Sequence, residues 1–477
     1  MPLPRVVRAS AFVVSLLAVA ATSEAAIYHY SAILNPRQEV PLVTSGAMGG
    51  GRFTIDTDAN TVRYWISFGN LSSAETAAHI HGFSAPGANS GVVVALPAGN
   101  PKVGVWNYAE VDEAAILDGR TYANIHTVNF PGGEIRGQIV AFNALLGSSQ
   151  EVPVNASAGS GWAVATIDPA LDQLRYYVMY EGLTGAPTAS HFHGNANYGT
   201  NAGVKVGIPV GPSPLSGTVA YAPADEGAIM AGLWYVNLHT AVNPGGEIRG
   251  QLVPRVVPMD ATQEVPAGGA LASAGFGLVA IDTLANVLGY DVRVVALGSA
   301  ETAAHIHGFA DPGFNAGVQQ AIAPVPGAQK LGTWPYGAAN EVSVLLGRTY
   351  FNVHTVANPG GEIRGQIMSL PGDGAILDVG DDAPVGAARL AAAPNPSLGG
   401  STRLMFQLAR AGNVSFSIVG VDGRSVRSVP ATAYAAGTHS YQWDGRDDDG
   451  KPVAPGIYFA VARTPDGEKI TRLARIH

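Results

Sequence analysis

The sequence has no cysteine and few charged residues. Among its 477 residues there are 0 Cys, and Asp, Glu, Lys and Arg together make up 13%. Without cysteine the chain has no disulfides, no thiolate metal ligands and no thiol nucleophile, so any metal site must use histidine, carboxylate or backbone oxygen. Neither a Gly-x-Ser-x-Gly elbow nor a phosphate-binding glycine loop is present. The formal net charge is −9, and no basic stripe runs through the repeats, which disfavours nucleic-acid binding.

Long apolar runs are also scarce, and the one near the N-terminus is too short to span a bilayer permanently. Arg5 and Arg8 precede this run at residues 11–21, and Ser23-Glu24-Ala25 follows as a small-x-small cleavage site. This pattern predicts a secretory signal peptide over residues 1–25. No later run has the length of a membrane helix, so we expect an exported chain with no membrane span.

Three tandem copies of one domain account for most of the chain. The motif Gln-Glu-Val-Pro begins at residues 38, 150 and 263, and similar spacings recur at several other landmarks. A period of this length is domain-sized and unlike that of a short-period solenoid. We place the repeats at residues 27–142, 143–255 and 256–370, and expect each to hold its own core.

Within each repeat the pattern is that of short strands and turns. Residues 61–68 alternate polar and apolar side chains, and Asp-Thr-Asp-Ala-Asn at 56–60 is typical of a hairpin turn. A single short helix is compatible with residues 110–117. The sequence therefore predicts an all-β fold, a sandwich or a barrel, for each repeat.

Each repeat carries a His-x-His pair followed, 47 to 49 residues after its first member, by a third histidine. Side chains at i and i+2 of a strand lie on one face, so the paired imidazoles should project together and meet the third if the two strands are neighbours. Three neutral nitrogens with an open fourth position suit zinc or copper(II). The candidate ligands are His79, His81, His126, His191, His193, His239, His305, His307 and His354.

A structural role for these histidines is the alternative hypothesis, since imidazoles also satisfy buried backbone groups. The divergent second repeat favours a site, because it keeps all three histidines although the residues around them change. Glu134 follows the third histidine, where it could accept a hydrogen bond from an imidazole or pair with Arg136. The Gly-Gly-Glu-Ile-Arg-Gly-Gln run that contains both is interpreted as a hairpin supporting the third histidine strand.

At these residues the repeats resemble the CHRD family, the domain first recognised in chordin. The shared elements in the first repeat are Ala78-His79-Ile80-His81-Gly82, Asn124-Ile125-His126-Thr127 and the run from Pro131 to Gln138. The resemblance covers nearly all of each repeat and implies an extracellular protein. The cysteine-rich modules that accompany the domain in chordin are absent, so growth-factor binding is not implied.

The His-x-His strand, the later histidine and the glycine-rich turn with an arginine are also similar to the copper site of Cu/Zn superoxide dismutases. This similarity implies a Greek-key β-sandwich or barrel for each repeat, and a mononuclear copper site. The bridging histidine and the disulfide of that family have no counterparts here.

After the repeats, residues 371–388 are acidic and rich in turn formers, and we interpret them as a linker. Residues 389–477 resemble the FlgD-type immunoglobulin-like domain of exported bacterial proteins, through Pro394-Asn395-Pro396, residues 421–424, residues 443–446 and residues 455–458. The resemblance implies a fourth β-sandwich and a location outside a bacterium, secreted or at its surface. Asp447-Asp448-Asp449-Gly450 lacks the first ligand of a calcium loop, since Gly445 stands there.

These features favour an exported binding or adhesive protein that is not an enzyme. The expected partner is an extracellular protein or a surface ligand, and one copper or zinc ion per repeat is the associated metal hypothesis. The alternative is a copper-dependent redox enzyme of the superoxide dismutase type.

Overall fold

The computed structural model describes residues 27–368 and 390–476, except 394–396, 399–400, 409, 421–423, 455 and 466. The predicted signal peptide at 1–25 and the predicted linker at 371–388 lie outside the described residues. Within the described ranges, no helix has the length and apolarity that crossing a membrane requires.

Each repeat contains eight strands and one short helix. The first repeat has β1 Ile27–Leu34, β2 Met48–Asp56, β3 Thr61–Gly69, β4 Glu75–Gly82, β5 Val92–Ala95, β6 Lys102–Asn107, α1 Glu113–Leu117, β7 Thr121–Thr127 and β8 Ile135–Ile139. The second has β9 Phe142–Gly147, β10 Ser160–Asp168, β11 Gln173–Glu181, β12 Pro187–His193, β13 Val204–Gly207, β14 Leu215–Ala220, α2 Glu226–Met230, β15 Trp234–Thr240 and β16 Ile248–Leu252. The third has β17 Arg255–Asp260, β18 Ala274–Asp282, β19 Val287–Ala296, β20 Glu301–Gly308, β21 Val318–Ala321, β22 Gln329–Pro335, α3 Glu341–Leu345, β23 Thr349–Thr355 and β24 Ile363–Ile367.

The strands of each repeat follow one antiparallel Greek-key order. In the second repeat it is β13-β12-β15-β16-β9-β10-β11-β14, and in the third β21-β20-β23-β24-β17-β18-β19-β22. The first repeat has the sheets β5-β4-β7-β8 and β1-β2-β3-β6. Two β-bridges join these sheets, one between Ser31 and Val140 and one between Asn35 and Arg136. Non-consecutive neighbours such as β3 and β6 are the crossovers of a Greek key. The all-β Greek-key prediction is confirmed.

The alternation read from the sequence places one face of each strand in the core. In β3, Val62, Tyr64 and Ile66 are buried, whereas the intervening side chains are partly exposed. The hairpin turn before β3 ends at Asn60, whose φ of 52° is left-handed, a conformation that asparagine tolerates better than most residues. The short helix predicted near residues 110–117 is also present, as a 3₁₀ turn followed by α1.

The first and second repeats share one apolar core, contrary to our expectation, whereas the third repeat keeps a core of its own. The apolar cluster of the first repeat continues into the second, and another cluster joins Ile33 of the first repeat, Val253 of the second and Phe276 of the third. Asp260 of the third repeat is 1% exposed and accepts hydrogen bonds from Trp65 Nε1 at 2.8 Å and Ser67 Oγ at 2.7 Å in the first. The repeats therefore pack as one body.

The C-terminal domain is a sandwich of two sheets with its own core around Trp443. Its strands are β25 Leu390–Ala393, β26 Ser397–Leu398, β27 Thr402–Leu408, β28 Gly412–Gly420, β29 Ser425–Tyr434, β30 Gly437–Trp443, β31 Gly456–Thr464 and β32 Gly467–Ile476. Arg403 pairs with Glu341 of α3 at 2.8 Å, and Met405 packs into the core of the third repeat. The domain thus contacts the end of the repeat body.

Candidate metal centre

Two neighbouring strands bring the three histidines of each repeat together. In the first repeat β4 pairs with β7, so that His79 lies opposite Asn124 and His126 lies opposite Ala77. Ile80, between the paired histidines, points into the apolar core, and the imidazoles lie on the other face. The convergence predicted from the spacing is therefore present, and it recurs on β12 with β15 and on β20 with β23.

The imidazoles are close enough to share one ion. His79 Nδ1 lies 3.2 Å from His126 Nε2, and the corresponding distances are 3.3 Å in the second repeat and 3.0 Å in the third. Two nitrogens bound to one tetrahedral zinc at 2.0–2.1 Å are about 3.3 Å apart. In each repeat the three ligand atoms lie within 4.8 Å of one another.

Backbone carbonyls fix the orientation of two histidines in each set. His81 Nδ1 lies 3.0 Å from the Ser90 carbonyl oxygen, and His126 Nδ1 lies 3.0 Å from that of Pro131. Because a carbonyl oxygen only accepts hydrogen bonds, each Nδ1 carries the proton and each Nε2 keeps its lone pair. A carbonyl that holds the second ring nitrogen in this way is the usual partner of a metal-binding histidine.

The other nitrogen of the middle histidine has no partner. Within the described part of the chain, Nε2 of His81, His193 and His307 is buried and makes no hydrogen bond. Burial lowers the pKa of each of these three imidazoles, and the neighbouring histidines lower it further. They are therefore neutral at pH 7, which is the protonation state that a metal requires.

A stack of side chains supports the middle histidine. The Tyr122 ring lies 4.8 Å from the His81 ring with 6° between their planes, and the guanidinium carbon of Arg136 lies over the Tyr122 ring, 3.4 Å from its centroid. Arg136 is 1% exposed and donates to the carbonyl oxygen of Ala88 at 2.8 Å. The second and third repeats repeat this stack with Tyr235 and Tyr350, so the arginine positions the ring beside the site.

Glu134 performs neither of the roles considered for it from the sequence. Its carboxylate accepts hydrogen bonds from the hydroxyls of Ser45, Ser72 and Thr127 and from the Ser72 amide. Burial raises its pKa, but these hydrogen bonds outweigh that effect and hold the pKa below its usual value. Glu134 therefore ties three segments together beneath the hairpin, which supports its interpretation as a structural element.

The sequence model of the CHRD domain matches residues 30–139, 142–252 and 256–367. The chain belongs to the CHRD domain family. The model of the FlgD Ig-like domain matches residues 395–467. Chordin from Danio rerio is 33% identical over 159 residues, and Chordin from Xenopus laevis is 34% identical over 159 residues. Each alignment covers 28% of this chain and 16% of the relative, so the chain spans about a sixth of each chordin.

Two solved structures give weak matches to large parts of the chain. Dimeric latent PorU from Porphyromonas gingivalis is 12% identical with a TM-score of 0.19, covering 64% of this chain and 32% of that one. PorZ, a bacterial surface component of the type-IX secretion system of the same organism, is 10% identical with a TM-score of 0.15, covering 91% and 75%. At these TM-scores neither structure bears on the function of the chain.

The sequence reading missed a buried carboxyl group in each CHRD repeat. Glu39, in the Gln-Glu-Val-Pro motif, is 4% exposed and lies 3.5 Å from the Asn124 amide. In the described structure Glu39 Oε1 and Asn124 Oδ1 both lack a hydrogen-bond partner, and both lie beside Gly133. The motif recurs with the period of the histidines, which marks it in the sequence, but recurrence alone does not show that its carboxyl group is buried.

Burial raises the pKa of Glu39 to about 8 and the pKa of Glu151 and of Glu264 to about 7, against partial compensation by Arg136 and its counterparts. At pH values between the ordinary carboxyl pKa and these raised values, the three carboxyls are therefore protonated in the folded chain and ionised in the unfolded chain. Between pH 4.5 and 8 the contribution of these three carboxyls to stability should fall as the pH rises, and it is fully present only at the acidic end.

Replacing all three carboxyls by glutamine should remove this contribution to the pH dependence. We expect the E39Q/E151Q/E264Q variant to match the wild type near pH 5 and to exceed it at pH 8.5 by several kcal/mol, since one pKa unit corresponds to about 1.4 kcal/mol. Urea denaturation at a series of pH values measures the difference. E110Q, at an exposed glutamate of the first repeat, is the control and should keep the wild-type slope. Parallel curves for the triple variant and the wild type would show that the carboxyls are not the cause.

Proposed function

We propose that this protein is an exported extracellular binding or adhesive protein, secreted by a bacterium or held at its surface, in which each CHRD repeat holds one metal ion. The family match to CHRD and FlgD Ig-like domains supports the extracellular role. The observation that carries the metal assignment is the unpartnered Nε2 of His81 and of its two counterparts, each beside two further imidazoles.

The ligands in the first repeat are His79 through Nδ1 and His81 and His126 through Nε2. A three-histidine set without thiolate or carboxylate favours copper or zinc over calcium or magnesium. The fourth coordination position is left for water or for a group on a partner. We propose a binding role rather than a catalytic one, in which the ion rigidifies the edge of the repeat or contributes directly to contact with an extracellular protein or surface ligand.

Metal analysis of the purified chain tests the assignment. We expect three equivalents of copper or zinc in the wild type, two in H81A and none in H81A/H193A/H307A, because each substitution removes one nitrogen from one set. H29A is the matched control, since His29 contacts Thr54 on another strand, and should keep three equivalents. Unchanged metal content in the triple variant would refute the sites.

The rival function, a copper-dependent redox enzyme, is decided by a separate measurement. If the copper-loaded chain turns over superoxide and the triple histidine variant does not, the protein is an enzyme and the binding role alone is insufficient. We expect equal turnover by the wild type and the triple histidine variant, since the chain has no counterpart of the bridging histidine of Cu/Zn superoxide dismutases.

A further inference from the structure

Equivalent segments build the contacts between successive repeats. The loop after β4 and the turn after α1 of the first repeat lie against β10, β11 and β14 of the second. The loop packs closely against the second repeat, because a Cβ added at Gly87 would lie 2.5 Å from the hydroxyl of Tyr177. An ion pair between Asp118 and Arg175 also crosses this junction. The corresponding loop of the second repeat lies against the third, where Asn197 donates to the Val287 carbonyl oxygen at 3.3 Å.

A tyrosine ring fills the junction between the second and third repeats. Tyr198 is 4% exposed and belongs to the apolar cluster that also contains Val253, Leu278 and Ala280. Room for the ring exists because the neighbouring position is a glycine: a Cβ at Gly289 would lie 2.8 Å from the Tyr198 ring.

At the junction between the first and second repeats the loop of the earlier repeat contributes no ring, and the Tyr177 ring of the second repeat forms part of the wall. Pro86 stands at the position of Tyr198, and a cavity of about 320 Å³ remains beside it. Its walls include Val140, Val164 and Thr166, which occupy the positions of Val253, Leu278 and Ala280 around the tyrosine. The cavity therefore corresponds to the space that the fold fills with a phenol ring one repeat later. Its volume lies in the range of small-molecule sites.

The walls of this cavity are more polar than those around Tyr198. Thr166 replaces Ala280, Ser216 replaces Leu331, and Arg175 replaces Gly289. The ion pair of Arg175 with Asp118 lies at the rim, where both side chains are partly exposed. An occupant must therefore combine an apolar ring for Pro86 and the valines with a hydrogen-bonding group for the hydroxyls.

We propose that the cavity between the first two repeats is a binding site for a small phenolic molecule. The ring lies between Pro86, Val140 and Val164, and its hydroxyl group reaches Thr166 or Ser216. The site is independent of the histidines and of any metal, so the proposal stands or falls separately from the metal assignment.

Calorimetric titration of the full chain with p-cresol, the side-chain analogue of tyrosine, tests the proposal. We expect saturable binding of one equivalent, and at least a tenfold loss of affinity in P86Y/R175G, which copies the filled junction. P312Y is the matched control, because Pro312 occupies the same loop position in the third repeat but is exposed, and it should bind as the wild type does. S216L, a change at an exposed strand position, should also weaken binding and provides a second variant if P86Y/R175G does not fold.

Three outcomes would overturn the site. The first is no saturable binding of p-cresol. The second is equal binding by the wild type, P86Y/R175G and S216L, which would place the ligand elsewhere. The third is binding of methyl α-glucoside in preference to p-cresol, which would assign the cavity to a sugar. The titrations give the same result with H81A/H193A/H307A, which separates them from the metal experiment.

Discussion

Replacing Lys330 by leucine should lower the free energy of unfolding by about 3–5 kcal/mol, because the substitution leaves a buried carboxylate without its cation. Lys330 is fully buried, and its Nζ lies 2.6 Å from Oε1 of Glu301. The Glu301 side chain is itself only 4% exposed. Guanidinium denaturation followed by tryptophan fluorescence measures the loss, with Trp334 in the same repeat as a reporter. The first repeat contains the same pair in Lys102 and Glu75.

The second repeat supplies the control for this prediction. Leu215 and Pro187 stand at the positions of Lys330 and Glu301, and Leu215 is buried. The double variant K330L/E301P copies an arrangement that this fold already uses, and replacing both members of a buried pair by apolar residues is often neutral. We expect it to recover more than half of the loss. Equal losses in the single and double variants would refute the explanation by an uncompensated charge.

Truncating Tyr198 to alanine should cost about 3–5 kcal/mol, the range found when large aromatic side chains are removed from cores. The substitution opens at the junction of repeats two and three the kind of cavity that already exists between repeats one and two. The same denaturation experiment measures it, and the second and third repeats should lose cooperativity with each other because the ring belongs to their shared cluster.

Replacing Tyr198 by phenylalanine should not lower the free energy of unfolding. The hydroxyl is buried and, among the residues that the structure describes, has no hydrogen-bond partner. An unpaired buried polar group costs about 1–3 kcal/mol, so its removal should leave stability unchanged or higher. A loss in Y198F as large as that in Y198A would show that the hydroxyl, and not the ring, holds the junction.

The candidate metal centre could be read from the sequence because its geometry is local. His79 and His81 share a face by the two-residue period of a strand, and the third histidine needs only the neighbouring strand β7. The supporting groups were harder to find. The Ser90 and Pro131 carbonyls that orient His81 and His126 are backbone atoms, and backbone atoms leave no pattern in a sequence.

The roles of the two glutamates were decided by segments far from them along the chain. Glu134 looked like a partner for a histidine or for Arg136, yet Ser45 and Ser72 reach its carboxylate from 89 and 62 residues away. Glu39 entered the sequence analysis only as part of a motif that marks the repeats, yet Asn124, 85 residues later, lies against it in the interior. The sequence shows that both residues carry a carboxyl group, but it does not show that the fold removes these groups from water.

The sequence by itself determined the strand pattern, the threefold repeat and the placement of two imidazoles on one face in each copy. Alternation involves residues close along the chain, and a repeat is a regular recurrence, so both are visible without a structure. The tertiary structure alone decided that the third imidazole lies beside the other two, that the first two repeats share a core, that Glu39 is buried, and that Tyr198 fills a space which Pro86 leaves open. These features depend on packing within and between repeats, which is set by side chains far apart along the chain, as Glu39 and Asn124 are at 85 residues and Asn197 and Val287 are at 90.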